Sequence, residues 1–146
     1  EYATSDYLIF NDADSIIEQT LVEKTMNQFT TKKQLVWSGH CSSDDNIIGM
    51  LRIIGTNMLP ATVTLNGQYL AVTRNAFDVV NGYNESIIGG EDKDFGLRVY
   101  NLDPSKAVMI KNCYSATSAR TTIKKGYLTD LIDCINKNRI PNQVVR

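Results

Sequence analysis

The chain has 146 residues, a length that suits one compact domain better than two. Hydrophobic residues make up 42% and charged residues 21%, as in ordinary globular domains, which excludes a disordered or low-complexity chain. The formal net charge of −1 argues against a general nucleic-acid binder. Residues 1–105 carry 7 basic and 14 acidic side chains, whereas residues 106–146 carry 8 and 2. One part of the chain therefore suits a cation and the other a phosphate.

The cysteine spacing and the hydropathy of the sequence indicate the cellular compartment. The 3 cysteines, Cys41, Cys113 and Cys134, have no spacing typical of a zinc site or a disulfide framework, so we expect a reducing cytosol. The longest apolar stretch, residues 47–59, is interrupted by polar residues and is too short to span a bilayer. We therefore expect a cytoplasmic location, with peripheral attachment to a membrane as the alternative.

The first half of the chain begins with a predicted strand. Residues 6–11 form an apolar run with β-branched and aromatic side chains, which indicates a buried strand. Ser15 and Glu18 have capping-box spacing, so a helix is predicted from Ser15 to about Phe29, followed by a short strand at 34–38. Segment 44–58 is ambiguous because two glycines interrupt a helical pattern. The apolar positions that share one helical face there are Ile47, Met50, Leu51, Ile54 and Met58.

Strands and helices continue to alternate in the second half. Residues 62–65 and 68–73 look extended, with Asn66-Gly67 between them as a turn signal. Helices are predicted at 74–80 and 91–100, a strand at 106–110, and an amphipathic helix at 124–138. This alternation indicates an α/β domain.

Two aspartates, Asp12 and Asp14, follow the first strand directly. Strand alternation predicts that both carboxylates lie on the same side, where they repel each other unless a cation lies between them. Oxygen-only ligands suit Mg²⁺ or Mn²⁺, which complete their coordination with water and substrate phosphates. The alternative is a simple turn that leads into a helix cap.

A second acidic segment begins at Gly89-Gly90 and continues as Glu91-Asp92-Lys93-Asp94. The glycines allow the backbone to approach a ligand closely, and a carboxylate in a cleft can take a proton from an incoming hydroxyl. The helix dipole alone also explains acids in a first helical turn.

Together these segments carry a resemblance to a known family. The strand leading into Asp12-Ala-Asp14 is followed by NGQYLAVTRNAFDVVNGYNE at residues 66–85 and by GEDKDFGLR at residues 90–98. This order closely resembles family 2 glycosyltransferases, inverting enzymes of the GT-A fold that use nucleotide-diphosphate sugars. The resemblance extends from about Asp6 to about Arg120.

The resemblance implies a role for each acidic segment. Asp12 and Asp14 would contact the nucleotide sugar and a divalent metal, with Asp14 the more direct metal ligand. Of the Glu91-Asp92 pair, Asp92 would be the catalytic base. It would take a proton from the acceptor, a saccharide or a lipid-linked sugar, as the metal takes up charge on the departing diphosphate.

The remaining assignments concern the acceptor and the diphosphate. Glu91, Asp94 and the two glycines Gly89 and Gly90 would hold the loop or the acceptor, and Arg98 is as well explained as an ion-pair partner. Residues 117–120 with Lys124 and Lys125 are a candidate phosphate-binding segment, in which Arg120 would contact the donor. The alternative for these cations is a solvated basic face.

The sequence departs from the family pattern at two points. Many relatives carry a histidine after the Glu-Asp pair, whereas the only histidine here is His40, far upstream. The βα units with which members of the family bind the base and ribose are not recognisable. We therefore expect residues 1–146 to form the second half of a GT-A domain, a mixed sheet flanked by helices. Its first strand would lack neighbours, and an exposed strand edge favours pairing with another copy.

Two other classes of function remain open on the sequence alone. One is a non-catalytic module that binds a sugar or a partner on the same fold. The other is a phosphotransferase or hydrolase with a Mg²⁺ site made by two carboxylates.

Overall fold

A computed structural model describes residues 3–32, 36–58, 67–126 and 128–129. The chain forms a mixed α/β structure in which one sheet lies between helices. The strands are β1 Tyr7–Asn11, β2 Ile16–Ile17, β3 Val36–Ser43, β4 Tyr69–Thr73 and β5 Ala107–Thr117. The helices are α1 Leu21–Lys32, α2 Asn46–Met58, α3 Arg74–Val79, α4 Glu91–Tyr100 and α5 Arg120–Lys125, with a 3₁₀ turn at Pro104–Lys106.

The described strands form a five-stranded sheet in the order β1-β4-β3-β5-β2. β4 is antiparallel to both β1 and β3, β2 is antiparallel to β5, and only β3 and β5 are parallel. The sheet is thus mixed, as the sequence predicted. The register between β3 and β5 shifts after Gly39, where Gly39 pairs with Ile110 and His40 pairs with Tyr114.

β4 lies at the centre of the hydrophobic core because both of its faces are covered. Leu70 and Val72 pack with Phe95 of α4 on one face. Tyr69 and Ala71 alternate with them and pack on the other face against α1. A helix layer therefore covers each face of the sheet, which explains why the first four residues of β4 are all buried.

The predicted start of the first helix is wrong. α1 begins at Leu21 rather than after Ser15, because the residues in between pair with β5. Ile16 and Ile17 form β2, and the N–H of Glu18 donates a 3.0 Å hydrogen bond to the carbonyl of Tyr114. Long-range strand pairing thus overrides the local capping signal.

The first strand is confirmed, but its expected burial is wrong. Within the described sheet β1 is an edge strand whose partner is β4, and Ile9 is 38% exposed. Leu8 and Phe10 face the core shared with α4. An edge position fits the expectation of a first strand with a free side.

The ambiguous segment after β3 is a helix, α2. Asp45 begins α2 by accepting the N–H groups of Ile47 and Ile48, both at 3.0 Å. Ile48 is buried against the body of the protein, whereas the apolar face identified in the sequence lies outward. The exposed members of that face are Ile47, Met50, Leu51 and Ile54.

The last elements differ from their predicted lengths. β5 continues through Thr117, well beyond the predicted end at residue 110, because it pairs with β3 on one side and β2 on the other. A short helix, α5, already occupies Arg120–Lys125 and ends before Gly126, whereas the predicted helix begins at Lys124. Most of the predicted helix at 124–138, and the extended segment at 62–65, lie outside the described residues. None of the described helices is both long and apolar enough to cross a membrane.

A matched pair of substitutions in α1 tests the core. Leu21 is fully buried, so Leu21→Ala is expected to lower the free energy of unfolding by about 2–5 kcal/mol. Its neighbour Val22 is 40% exposed, and Val22→Ala should change that free energy by less than about 1 kcal/mol. Urea unfolding followed by far-UV circular dichroism measures both. Equal losses in the two variants would contradict the assignment of α1 to the core.

Candidate functional site

The two early aspartates lie in a turn at the end of β1. The amide of Ser15 donates to the carbonyl of Asp12 at 3.0 Å, which closes a turn over Asp12-Ala13-Asp14-Ser15. Strand alternation therefore does not place Asp12 and Asp14 together, contrary to the expectation. The turn nevertheless keeps the two carboxylates close enough to repel each other, as the pKa of Asp12 shows.

The turn at Gly67-Gln68 connects both acidic segments. The N–H of Asp12 donates to the carbonyl of Gln68 at 3.3 Å, which extends the pairing of β1 with β4 by one residue. The N–H of the adjacent Gly67 donates to Oδ2 of Asp92 at the start of α4. Gln68 thus binds the end of β1, and the preceding residue, Gly67, binds the start of α4.

Glycine suits position 67 because the backbone and Asp92 approach closely. A Cβ at Gly67 would lie 3.3 Å from Asp92 Oδ2 and 3.4 Å from Asp92 Cβ. A side chain there would require the carboxylate to shift by a few tenths of an ångström. Gly67, which the sequence indicated as a turn residue, therefore also contacts Asp92 in the candidate site.

The pKa of Asp12 identifies the carboxylates that share its surroundings. Partial burial raises this pKa, and the negative charges of Asp14, Asp92 and Glu91 raise it further, in that order. Carboxylates from the β1 turn and from α4 therefore lie within one electrostatic environment. The fold thus brings together the carboxylates to which the resemblance assigns donor and base roles, and those roles stay predictions.

Asp14 faces the basic end of the chain. Its Oδ1 accepts a 3.3 Å hydrogen bond from Oγ1 of Thr117, and its Oδ2 lies 3.7 Å from Nη2 of Arg120. Because both charged side chains are largely exposed, this ion pair contributes little to stability. Asp44 Oδ1 accepts the Ala119 N–H at 2.6 Å, which lowers the pKa of Asp44 and holds the start of α5 beside this site.

Glu91 and Asp92 begin α4, and both predicted glycines precede them. Gly89 and Gly90 have φ of +82° and +86°, in the left-handed region that favours glycine, and Gly90 is the N-cap. Both Asp92 oxygens accept backbone hydrogen bonds, Oδ2 from Gly67 and Oδ1 from Lys93 at 2.8 Å. The carboxylate of Asp92 is thereby fixed in orientation, whereas Glu91 is exposed.

Asp94 is engaged in an ion pair within α4. Its Oδ2 accepts a 2.9 Å hydrogen bond from Nε of Arg98, one helical turn later. Nη1 of Arg98 also donates to the carbonyl of Val80 at 2.6 Å, which fastens the loop after α3 to α4. Of the two roles considered for Asp94, holding the loop is the one that this geometry fits.

Tyr83 is a residue of the site to which the sequence analysis assigned no role. Its ring stacks on Phe95 with centroids 4.5 Å apart and meets Phe10 edge to face at 5.2 Å. Burial raises the pKa of the Tyr83 hydroxyl, and the charges of Asp92, Glu91 and Asp12 raise it further, so the phenol stays protonated at neutral pH. Phe10 lies two residues before Asp12, and Phe95 lies three residues after Asp92. These aromatic residues next to the acids were the signal in the sequence for an aromatic group at the site.

The donor set is compatible with a hard divalent cation, although the protein supplies few ligands. Asp12 and Asp14 offer carboxylate oxygens, which Mg²⁺ and Mn²⁺ prefer, and their mutual repulsion is what a cation would relieve. Across the described ranges, no three His, Cys, Asp or Glu side chains are grouped so that they could hold a metal ion. An ion bound here would therefore take most of its coordination from water and substrate phosphates, as Mg²⁺ usually does. The side chain of His40 lies outside the described set.

The sequence matches no protein-family model and no curated protein.

The raised pKa of Asp12 predicts that this carboxylate costs stability. When a carboxyl has a higher pKa in the folded than in the unfolded chain, the folded state loses stability as pH rises through the range between the two values. Asp12→Asn should therefore raise the urea midpoint at pH 7, and the gain should vanish near pH 3, where Asp12 is protonated in both states. The control is Asp6→Asn, an exposed carboxyl just before β1. A lower midpoint for Asp12→Asn at pH 7 would show that its charge supports the fold.

Proposed function

We propose that the chain transfers a sugar from a nucleotide-diphosphate sugar to an acceptor hydroxyl, with inversion at the sugar carbon. The observation that supports this most directly is the joining of Asp12 and Asp92 through the Gly67-Gln68 turn. Inverting transfer needs a base on the acceptor side and a site for the departing diphosphate on the other. The resemblance of residues 6–120 to family 2 glycosyltransferases supports the same reaction.

Asp92 is the residue that we assign as the base. Backbone N–H groups hold both of its oxygens, so the carboxylate has a defined direction without any contribution from substrate. Each carboxylate oxygen has a second lone pair, which leaves Asp92 able to accept the proton of an incoming hydroxyl. The exposed Glu91 adds negative charge beside it and would contact the acceptor.

The donor would bind at the turn that carries Asp12 and Asp14. These aspartates would hold Mg²⁺ or Mn²⁺, which when bound neutralises charge on the diphosphate leaving group. Arg120 already lies within 3.7 Å of Asp14, and its guanidinium can form paired hydrogen bonds with phosphate oxygens. Release of Arg120 from Asp14 would let it turn to the diphosphate.

The acceptor side would be formed by the start of α4. Gly89 and Gly90 have open space where a Cβ would lie, so a saccharide or lipid-linked acceptor can approach the backbone there. Tyr83 offers a protonated hydroxyl beside the carboxylates, and a phenol can both donate and accept a hydrogen bond. Asp94 would stabilise this side indirectly, through Arg98 and the loop carbonyl of Val80.

Asp92→Asn tests the assignment of the base. The amide keeps the size of the side chain but cannot take a proton, so kcat should fall by about 100- to 10,000-fold. Donor binding should be nearly unchanged, because Asp12, Asp14 and Arg120 remain. The measurement is nucleoside diphosphate released with Mn²⁺ and a panel of nucleotide sugars, and Asp78→Asn on the exposed side of α3 is the matched control. Normal turnover of Asp92→Asn would exclude Asp92 as the base.

The same assay separates the alternative functions. A phosphotransferase or hydrolase would release nucleoside monophosphate rather than diphosphate. A module that only binds partners would release neither, and its tryptophan and tyrosine fluorescence would not respond to nucleotide sugar and metal.

A further inference from the structure

The two oxygens of Asp14 have different partners, and both partners come from residues 117–120. Oγ1 of Thr117 donates a 3.3 Å hydrogen bond to Oδ1, and Nη2 of Arg120 lies 3.7 Å from Oδ2. The first contact is a hydrogen bond, whereas the second is an ion pair at a distance longer than hydrogen bonds. A ligand that approaches Asp14 therefore meets a bonded oxygen and an oxygen that is only balanced in charge.

Strand pairing holds Thr117 next to Asp14. Thr117 ends β5, and its carbonyl accepts the N–H of Asp44 at 3.1 Å where β5 leaves β3. On the other edge of β5, Ala116 pairs with Ile16, two residues after Asp14. The threonine hydroxyl is also separated from this fixed backbone by a single stiff torsion. The hydrogen bond to Oδ1 is therefore built into the sheet.

The contact of Arg120 is easily exchanged by comparison. The side chain of Arg120 is 80% exposed and that of Asp14 is 56% exposed. Such a pair contributes little free energy, because water screens the charges and a long side chain must be ordered to form it. The guanidinium can leave while the start of α5 stays in place, since the N–H of Ala119 is bound to Asp44.

We propose that Arg120 is an exchangeable cation, which balances Asp14 until a divalent metal replaces it at Oδ2 and which then binds the diphosphate of the donor. This inference rests on the proposed function, in which Asp14 is a metal ligand. Thr117 is a positioning residue, because its hydroxyl keeps Oδ1 in place during the exchange. Two cations exclude each other at one carboxylate oxygen, but both suit a diphosphate. Metal and diphosphate therefore bind more tightly together than separately.

Arg120→Gln is expected to have opposite effects on a metal alone and on a metal diphosphate. The full chain is titrated with Mn²⁺, and free Mn²⁺ is measured by electron paramagnetic resonance. Arg120→Gln should bind Mn²⁺ about two- to fivefold more tightly than the wild-type chain, because no cation has to be displaced. Binding of magnesium pyrophosphate, measured by titration calorimetry, should weaken about tenfold, because the guanidinium is lost.

Two further variants locate the effect at Asp14. Lys124→Gln is the matched control, since it removes the same charge from an exposed position one turn later in α5, and it should leave Mn²⁺ binding unchanged. When combined with Asp14→Asn, Arg120→Gln should no longer tighten Mn²⁺ binding. An equal gain in Lys124→Gln, an unchanged Mn²⁺ affinity in Arg120→Gln, or no Mn²⁺ binding by either the wild-type chain or this variant would overturn the proposal.

Thr117 is tested by a pair of substitutions that suit a strand. Thr117→Val keeps the branched shape but removes the hydroxyl, and should weaken Mn²⁺ binding about tenfold, as loss of a bond to a metal ligand usually does. Thr117→Ser keeps a hydroxyl and should restore most of the affinity. Equal Mn²⁺ binding by Thr117→Val and the wild-type chain would exclude Thr117 as a positioning residue.

These measurements are separate from the assay for sugar transfer. A chain that binds Mn²⁺ and magnesium pyrophosphate as described, but releases no nucleotide from any donor, would keep the exchange at Asp14 and lose the proposed function. Release of nucleoside diphosphate by a chain whose Mn²⁺ affinity does not respond to Arg120→Gln would keep the proposed function and overturn this inference.

Discussion

The arrangement of the candidate site depends on two hydrogen bonds that the backbone groups of Gly67 and Gln68 make. One runs from Asp12 to the Gln68 carbonyl and the other from the Gly67 amide to the carboxylate of Asp92. Because Gln68 directly precedes the central strand β4, the turn is tied to the most buried part of the sheet. Acids that are 80 residues apart in the chain are therefore held by one rigid element.

Aromatic side chains pack together next to the segments that carry the acids. Phe10, Phe77, Tyr83 and Phe95 form contacts between ring centroids of 4.5–6.4 Å. Burial and the charges of neighbouring carboxylates raise the pKa of Asp12 and of Tyr83. Like charges that raise the pKa of a carboxyl cost the folded state stability at neutral pH.

The two ends of the charge distribution meet at Asp14. The acidic part of the chain supplies Asp12, Asp14, Glu91 and Asp92, and the basic part supplies Arg120. The long pairing of β5 with β3 and the bond between Asp44 and Ala119 bring these parts together. The same junction starts α2, so the outward apolar face of that helix and the candidate site share a support.

Sequence patterns alone determined the α/β class, the β1 and β4 strands, helices α3 and α4, and the positions of the two acidic segments. These features are local: alternation, turn residues and first-turn acids act within a few positions of the chain. Tertiary structure decided which local signals prevailed. The Ser15 cap gave way to pairing of Ile16 and Ile17 with β5, and the apolar face of α2 turned outward because Ile48 packs inward. The roles of Gly67, Tyr83 and Asp94 likewise depended on neighbours at least several positions away, because hydrogen bonds, ring stacking and charge repulsion act through space rather than along the sequence.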